Sequence, residues 1–133
     1  GLDGQVLTST GAASAPAFEA AGEGGASVQL PAFPTDMIAM TLDNAWHDVD
    51  ISGVYGAKKH LVFLHMYVNC DNTSANIYFN DNTEDTTVKY RHQVANVQGR
   101  VWIQVQTDSN GIWSYKGAGF NSTKYCILAV LTP

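Results

Sequence analysis

Four histidines are the residues whose chemistry could most directly support metal binding or proton transfer, and they lie at positions 47, 60, 65 and 92. His60 and His65 are five residues apart in one apolar run, so a strand would place them on opposite faces. No two histidines have the H-x-H or H-E-x-x-H spacing of a metal-binding motif. We therefore expect ordinary polar or half-buried histidines and no metal site.

The two cysteines, Cys70 and Cys126, are too few for a disulfide scaffold and too isolated for a metal knuckle. Both lie in or beside apolar runs, which favours buried free thiols and leaves a single cross-strand disulfide as the alternative. Neither has a recognisable nucleophile signature around it, and no serine lies in a G-x-S-x-G turn. The sequence predicts no catalytic residues.

Carboxylates gather in two polar stretches, "DNAWHDVD" and "NDNTEDTT", which supply Asp43, Asp48, Asp50, Asp81, Glu84 and Asp85. Neither stretch has the glycine at the sixth position of a calcium loop, so solvated turns explain both. A glycosidase would need two carboxylates about 5 to 10 Å apart, which sequence does not test. A polysaccharide-degrading enzyme stays a remote alternative to the prediction of a protein that is not an enzyme and has no cofactor.

Aromatic residues offer a better indication of function. In "GRVWIQVQT" the side chains alternate, which places Trp102 on a polar face together with Gln104 and Gln106. Trp113 and Tyr115 share one face of the following strand, "IWSYK". Aromatic rings stack on sugars and anchor protein contacts, which is the chemistry of surface recognition.

A turn, "DSNG", joins these two stretches, and it predicts a hairpin in which Gly111 takes a positive φ. Loops on a rigid sheet often carry binding residues. The predicted binding surface is the hairpin end, with the Asp81 to Asp85 loop beside it, and its residues are Trp102, Asp108, Asn110, Trp113 and Tyr115. The alternative is that the aromatic residues fill the core or a subunit interface.

The composition excludes some partners. Charged residues make up 14% of the chain and the net charge is -5, with no basic cluster beyond Lys58 and Lys59, so we expect no nucleic-acid binding. No apolar run approaches the roughly 20 residues that span a bilayer, and no secretory signal pattern is present, so we expect no membrane insertion.

Strand patterns follow one another along most of the chain, and helix patterns are nearly absent. About eight short strands predict an all-β, antiparallel sandwich of the jelly-roll kind, with Leu61 to Val68 as a central strand. This run and Tyr125 to Leu131 are apolar on both faces. Because a two-layer sandwich buries only one face of each strand, a partner subunit is expected to cover the other.

The opening stretch, "GLDGQVLTSTGAASAPAFEA", resembles the "G..GQVLTS.G....P.W" segment of tail-fibre and other virion structural proteins of bacteriophages. The matching residues are Gly1, Gly4, Gln5, Val6, Leu7, Thr8, Ser9, Gly11, Ala15, Pro16 and Phe18. Phe18 stands where tryptophan is commoner, so an aromatic ring is kept. A looser similarity to fibre C-terminal domains lies in "WHDVDISGVYGAKKHLVFLHM" and "VQTDSNGIWSYK".

This resemblance implies a homotrimeric virion protein, on the tail fibre or the capsid surface. Residues 1–22 would be a connector and trimerisation segment, with Val6, Leu7, Pro16 and Phe18 at the threefold contact, and residues 23–133 would be the sandwich head. The implied function is the receptor-binding head of a tail fibre, which attaches to a host-surface glycan or protein. The alternatives are a capsid decoration or head-fibre protein that binds other virion proteins, and a flexible linker in place of the trimer contact.

Overall fold

The structure is a computed structural model that describes residues 5–8, 17–20, 26–31, 37–81 and 88–133. Strands dominate because β-branched and aromatic side chains alternate with polar ones, and Gly, Asn and Asp residues separate the runs. In chain order the elements are β1 (Gln5–Thr8), β2 (Ala17–Ala20), β3 (Ser27–Gln29), β4 (Ile38–Ala39), β5 (His47–Asp50), α1 (Ser52–Tyr55), β6 (Leu61–Cys70), β7 (Asn76–Asn80), β8 (Val88–Arg91), β9 (Val97–Gln106), β10 (Ile112–Ala118) and β11 (Ser122–Thr132).

Two antiparallel sheets form a sandwich. One has the order β5-β10-β7-β8, and the other has the order β3-β11-β6-β9, with β4 also paired to β11. The strand pairing is nested: β4 pairs with β11, β5 with β10, β6 with β9 and β7 with β8. The strands from β4 to β7 thus pair, in reverse order, with the strands from β8 to β11. This nesting is the jelly-roll arrangement, and it confirms the predicted fold class.

The core lies between the sheets, and β6 crosses its centre. Val62, Leu64, Met66 and Val68 alternate along β6 and are fully buried. They form one cluster with side chains of the opposite sheet, including Ile77, Phe79 and Trp113. The prediction of a central, buried strand is therefore confirmed, while its other face, with Phe63 and Tyr67, is only half-buried.

The opening segment contains a separate two-stranded antiparallel sheet of β1 and β2, in which Leu7 lies opposite Phe18. Sequence analysis had predicted a connector here and no strands. Val6, Leu7 and Phe18 of the predicted trimer contact lie in these strands, and Pro16 lies outside the described residues. The division at residue 22 and the threefold contact stay predictions.

The predicted hairpin of "GRVWIQVQT" with "IWSYK" is wrong. The turn is present, but β9 pairs with β6, whereas β10 pairs with β5 and β7 in the other sheet. The chain crosses the sandwich at this turn, so Trp102 and Trp113 belong to different sheets.

The buried His60 ties a loop to a sheet, and the two cysteines are buried in the strands. The His60 imidazole is hydrogen-bonded to the Thr132 hydroxyl (2.9 Å) and to the Gly56 carbonyl (2.9 Å). These two hydrogen bonds join the residue before β6 to the end of β11 and to the residue after α1. Both Cys70 and Cys126 are free and buried, which confirms the free-thiol interpretation over the disulfide. Burial raises the pKa of the Cys126 thiol.

Candidate functional site

Trp102 is the most exposed aromatic side chain among the described residues. Strand alternation turns it to the outer face of β9, where 80% of its surface is accessible. Gln104 and Gln106 are exposed on the same face, as the sequence predicted. His65, its partner on β6, meets the Trp102 ring edge-on with centroids 6.4 Å apart. The His65 ring thus contacts the indole of Trp102 on one side, and the face of the indole is exposed to solvent.

A groove of about 700 Å³ lies beside Trp102. It follows the side of the sandwich where β8 and β9 are the outermost strands of their sheets among the residues that the structure describes. Its lining is mostly apolar and consists of Phe63, Leu64, Val88, Lys89, Tyr90, Val101, Trp102, Ile103, Gln104 and Leu128. Its volume falls within the range of about 300–1,000 Å³ that ligand pockets occupy. The groove can receive an apolar or saccharide surface, with Lys89 and Gln104 as its polar groups.

The turn residues do not extend this site. Asp108 is buried, and its Oδ1 accepts the backbone N–H groups of Asn110 (2.8 Å) and Ile112 (2.9 Å). Its carboxylate is therefore engaged within the turn, and its prediction as a contact residue is wrong. Asn110 is exposed, but the four residues that follow Trp102 in β9 set the turn about 13 Å further along the strand.

Trp113 and Tyr115 are core residues, so their prediction as binding residues is also wrong. Trp113 is fully buried and packs edge-on against Tyr125 at a centroid distance of 5.5 Å. Tyr115 is stacked on His47 at 5.5 Å, and its hydroxyl accepts the N–H of Thr41. Their shared face of β10 points into the sandwich, which is the alternative that the sequence left open.

The described carboxylates serve mainly as acceptors in turns. Asp43 accepts the Ala45 N–H (2.9 Å) and pairs with the His47 ring (2.7 Å); these hydrogen bonds, with His47 first, lower the pKa of the Asp43 carboxyl. Asp50 accepts the Ser52 N–H at the start of α1, and its pKa is lowered by hydrogen bonds from Ser52. Glu84 and Asp85 lie outside the described residues.

Within the described ranges, no group of three or more His, Cys, Asp or Glu side chains is arranged to hold a metal ion. Asp81 is buried at the start of the predicted loop, and it too has a partner.

Sequence reasoning missed a second aromatic surface, on the outer face of the sheet that contains β7. Tyr78 alternates with the buried Ile77 and Phe79, so it points outward. Lys116 of β10 and Lys89 of β8 flank it in direct register. The alternation was visible in the sequence, but the neighbouring lysines depend on the strand order β10-β7-β8, which no local pattern encodes.

No protein-family model matches the chain, and a search of curated proteins gives no match. Across the described part of the chain, no helix is both long and apolar enough to cross a membrane.

Proposed function

We propose that this chain is a bacteriophage virion protein that is not an enzyme, and that it is the receptor-binding head of a tail fibre attached to its shaft through residues 1–22. The opening segment supports this proposal through its resemblance to virion connector segments. The jelly roll supports it as a rigid scaffold that can display side chains on its outer faces. Fold alone does not choose a function, so the proposal depends on the recognition surface.

The observation that carries the proposal is the open face of Trp102 above the apolar groove. The Trp102 side chain is 80% exposed, so the folded chain buries little of its apolar surface. Burial of that surface against a partner would therefore stabilise a complex. Gln104 and Gln106 stand beside it and can hydrogen-bond to sugar hydroxyls or to peptide groups. This combination suits a host-surface glycan or protein.

A homotrimer would present three copies of this surface. A second contact between already tethered partners forms at a high effective concentration, so weak single sites add up to firm attachment. A shallow groove with one exposed indole is suited to such weak individual binding.

The proposal is tested by adsorption of fluorescently labelled protein to a panel of bacterial cells. Trp102→Ala is expected to reduce adsorption at least about tenfold, since exposed tryptophans are frequent binding hot spots. Val54→Ala, which truncates an equally exposed apolar residue on α1, is the matched control and should adsorb like the parent. Equal adsorption of all three proteins, or failure of the parent to adsorb to any cell, contradicts the proposal.

A capsid decoration or head-fibre protein is the second candidate. It is favoured by a second set of exposed aliphatic side chains, Val28, Leu30 and Ile38, along β3 and β4. Aliphatic surfaces of this kind are suited to protein contacts. Binding to purified phage capsids, lost in an Ile38→Asp variant and kept in Trp102→Ala, would favour this candidate over host attachment.

A further inference from the structure

A row of alternating basic and aromatic side chains crosses the outer face of the four-stranded sheet. Lys116, Tyr78 and Lys89 are directly paired across β10, β7 and β8. The Lys116 Nζ lies 4.9 Å from the centroid of the Trp46 ring and 5.9 Å from that of Tyr78, while the Lys89 Nζ lies 5.2 Å from the Tyr78 centroid. The rings hold the ammonium groups by cation–π attraction and so orient them at the surface.

The positive charge of this face is unusual for the chain. The face carries Lys89, Arg91 and Lys116, three of the seven basic residues in a chain of net charge -5. No ion pair joins any of the three to a carboxylate among the described residues. Asp48 and Asp50 of β5 are exposed on the same face, and the Asp48 carboxylate accepts the Ser114 hydroxyl at 2.6 Å, so the positive charge is concentrated toward β7 and β8.

A polar groove of about 340 Å³ continues from Tyr78. Its polar lining includes Asn44, Asn72, Ser74 and Asn76. Asn76 donates its Nδ2 to the Ser74 carbonyl (2.8 Å), while its Oδ1 is shielded and has no partner. An unsatisfied acceptor in a groove wall is uncommon in folded proteins, and rotation of the side chain would offer it to a ligand hydroxyl.

We propose that this face is a second binding site, which shares only Lys89 with the Trp102 groove, and that it binds an anionic saccharide. The ammonium groups of Lys89 and Lys116, with Arg91, face its carboxylate or phosphate group. Tyr78 and Trp46 contact its ring, and the asparagine groove hydrogen-bonds its hydroxyls. A long polyanion such as nucleic acid is disfavoured, because the net negative charge of the protein repels it beyond this face.

The site is tested by calorimetric titration of the full chain with four probes: an oligogalacturonate, a poly(glycerol phosphate) oligomer, a neutral oligosaccharide of matched length and a poly-glutamate peptide. We expect binding of an anionic saccharide that is at least about tenfold tighter than that of the neutral one and that weakens with added salt. The galacturonate and glycerol-phosphate titrations distinguish a carboxylate from a phosphate ligand.

A pair of double variants locates the binding. Lys89→Gln with Lys116→Gln is expected to weaken binding about tenfold or more, since two charge-assisted contacts are lost. Lys58→Gln with Lys59→Gln removes the same charge from an exposed loop and should change the affinity less than about twofold. Replacement of Lys89 and Lys116 by arginine should retain binding, which separates charge from side-chain packing.

The proposal is overturned by equal losses in the two glutamine doubles, by equal binding of the neutral saccharide, by equal or tighter binding of poly-glutamate, or by no binding of either anionic saccharide at about 10 mM. Trp102→Ala is expected to leave this binding unchanged. Failure of host adsorption through Trp102 and failure of this site are therefore separate outcomes.

Discussion

Three tryptophans occupy three different environments. Trp113 is fully buried, Trp46 is 37% exposed beside Lys116, and Trp102 is 80% exposed. Burial removes apolar surface from water and so stabilises the fold, whereas an exposed ring leaves that free energy available for binding. The same residue type thus stabilises the core from one sheet and, in the proposed function, is available for recognition on the other.

Trp113→Ala is expected to reduce the free energy of unfolding by about 3–5 kcal/mol, because it leaves a large cavity among Phe79, Tyr115 and Tyr125. Trp113→Phe should cost less, since the Trp113 Nε1 has no hydrogen-bond partner to lose. Urea denaturation monitored by circular dichroism measures both. Trp102→Ala is the control, and a loss there as large as that of Trp113→Ala would contradict these assignments.

Tyr125 should make the fold sensitive to alkali. Desolvation, and then the nearby Tyr115, raise the pKa of its phenol from 10.0 to about 12. Below pH 10 both the folded and unfolded states keep the proton, so the contribution is fully present; as the pH rises from 10 to about 12, only the unfolded chain loses it and stability falls. Melting temperatures across this range should decline less for Tyr125→Phe than for the parent. Equal declines would count against the buried phenol.

Residue roles were only partly predictable from the sequence. Alternation correctly placed Trp102 with Gln104, and it grouped Trp113 with Tyr115, but periodicity gives two faces without saying which one is covered. The opposite face of β10 carries Ser114 and Lys116, so hydrophobicity alone favoured the buried assignment that the structure has. Asp108 was misassigned because an acceptor engaged within a turn and an acceptor free for a ligand look the same in sequence.

Among the elements, the turn between β9 and β10 is closely packed. Gly111 has a φ of 80°, and a Cβ there would lie 3.0 Å from the Gly56 carbonyl oxygen and 3.3 Å from Ser52. The Gly111 carbonyl also accepts the Ile51 N–H at 3.0 Å. This turn therefore packs directly against the beginning of α1, and its backbone has no room for a side chain.

Gly111→Ala is expected to lower the free energy of unfolding by more than about 1–2 kcal/mol, which is the cost of the left-handed conformation alone. Gly53→Ala is the matched control, because nothing lies within 4 Å of its added Cβ and alanine favours a helical turn. Thermal denaturation compares the two. A neutral Gly111→Ala variant would mean that the turn adopts another conformation.

The strands themselves were largely predictable, whereas their pairing was not. The runs that became β6, β9 and β11 were recognisable because each is long and rich in β-branched residues. Pairing β6 with β11 joins residues distant in the sequence, such as Leu61 with Leu131, which are 70 positions apart, and local patterns carry no information on such contacts. The hairpin prediction for β9 and β10 failed for this reason.

At the scale of the whole molecule, apolar surface remains at two opposite margins of the larger sheet. Val28 and Leu30 are exposed along the β3 margin, and Val97 and Trp102 are exposed on β9 at the other margin. The β3 margin can pack head-to-tail against another surface of a neighbouring copy, and such contacts close into rings when the rotation permits, while Trp102 on β9 stays open to a receptor. This arrangement is compatible with the proposed trimer, with β1 and β2 at the connector.

A trimer is expected in light scattering of the full chain. Leu7→Asp and Leu30→Asp should each shift it toward monomer before the sandwich unfolds, because the lost burial is at the interface. Thr73→Asp adds the same charge at an exposed turn and should leave the mass unchanged. A stable monomer for the full chain and for a version lacking residues 1–20 would defeat the prediction.

The central position of β11 also constrains biosynthesis. Its 11 residues supply the partner for β6, β3 and β4 at once, so the larger sheet lacks its middle strand until residue 132 has left the ribosome. During translation the nascent chain carries β6 with one edge unpaired, and its core lacks the Tyr125 and Val130 side chains that β11 supplies. Such edges invite aggregation, and pairing at this sequence separation is slow. Production of the protein should therefore depend on holding chaperones, and truncation anywhere in β11 should yield insoluble chain.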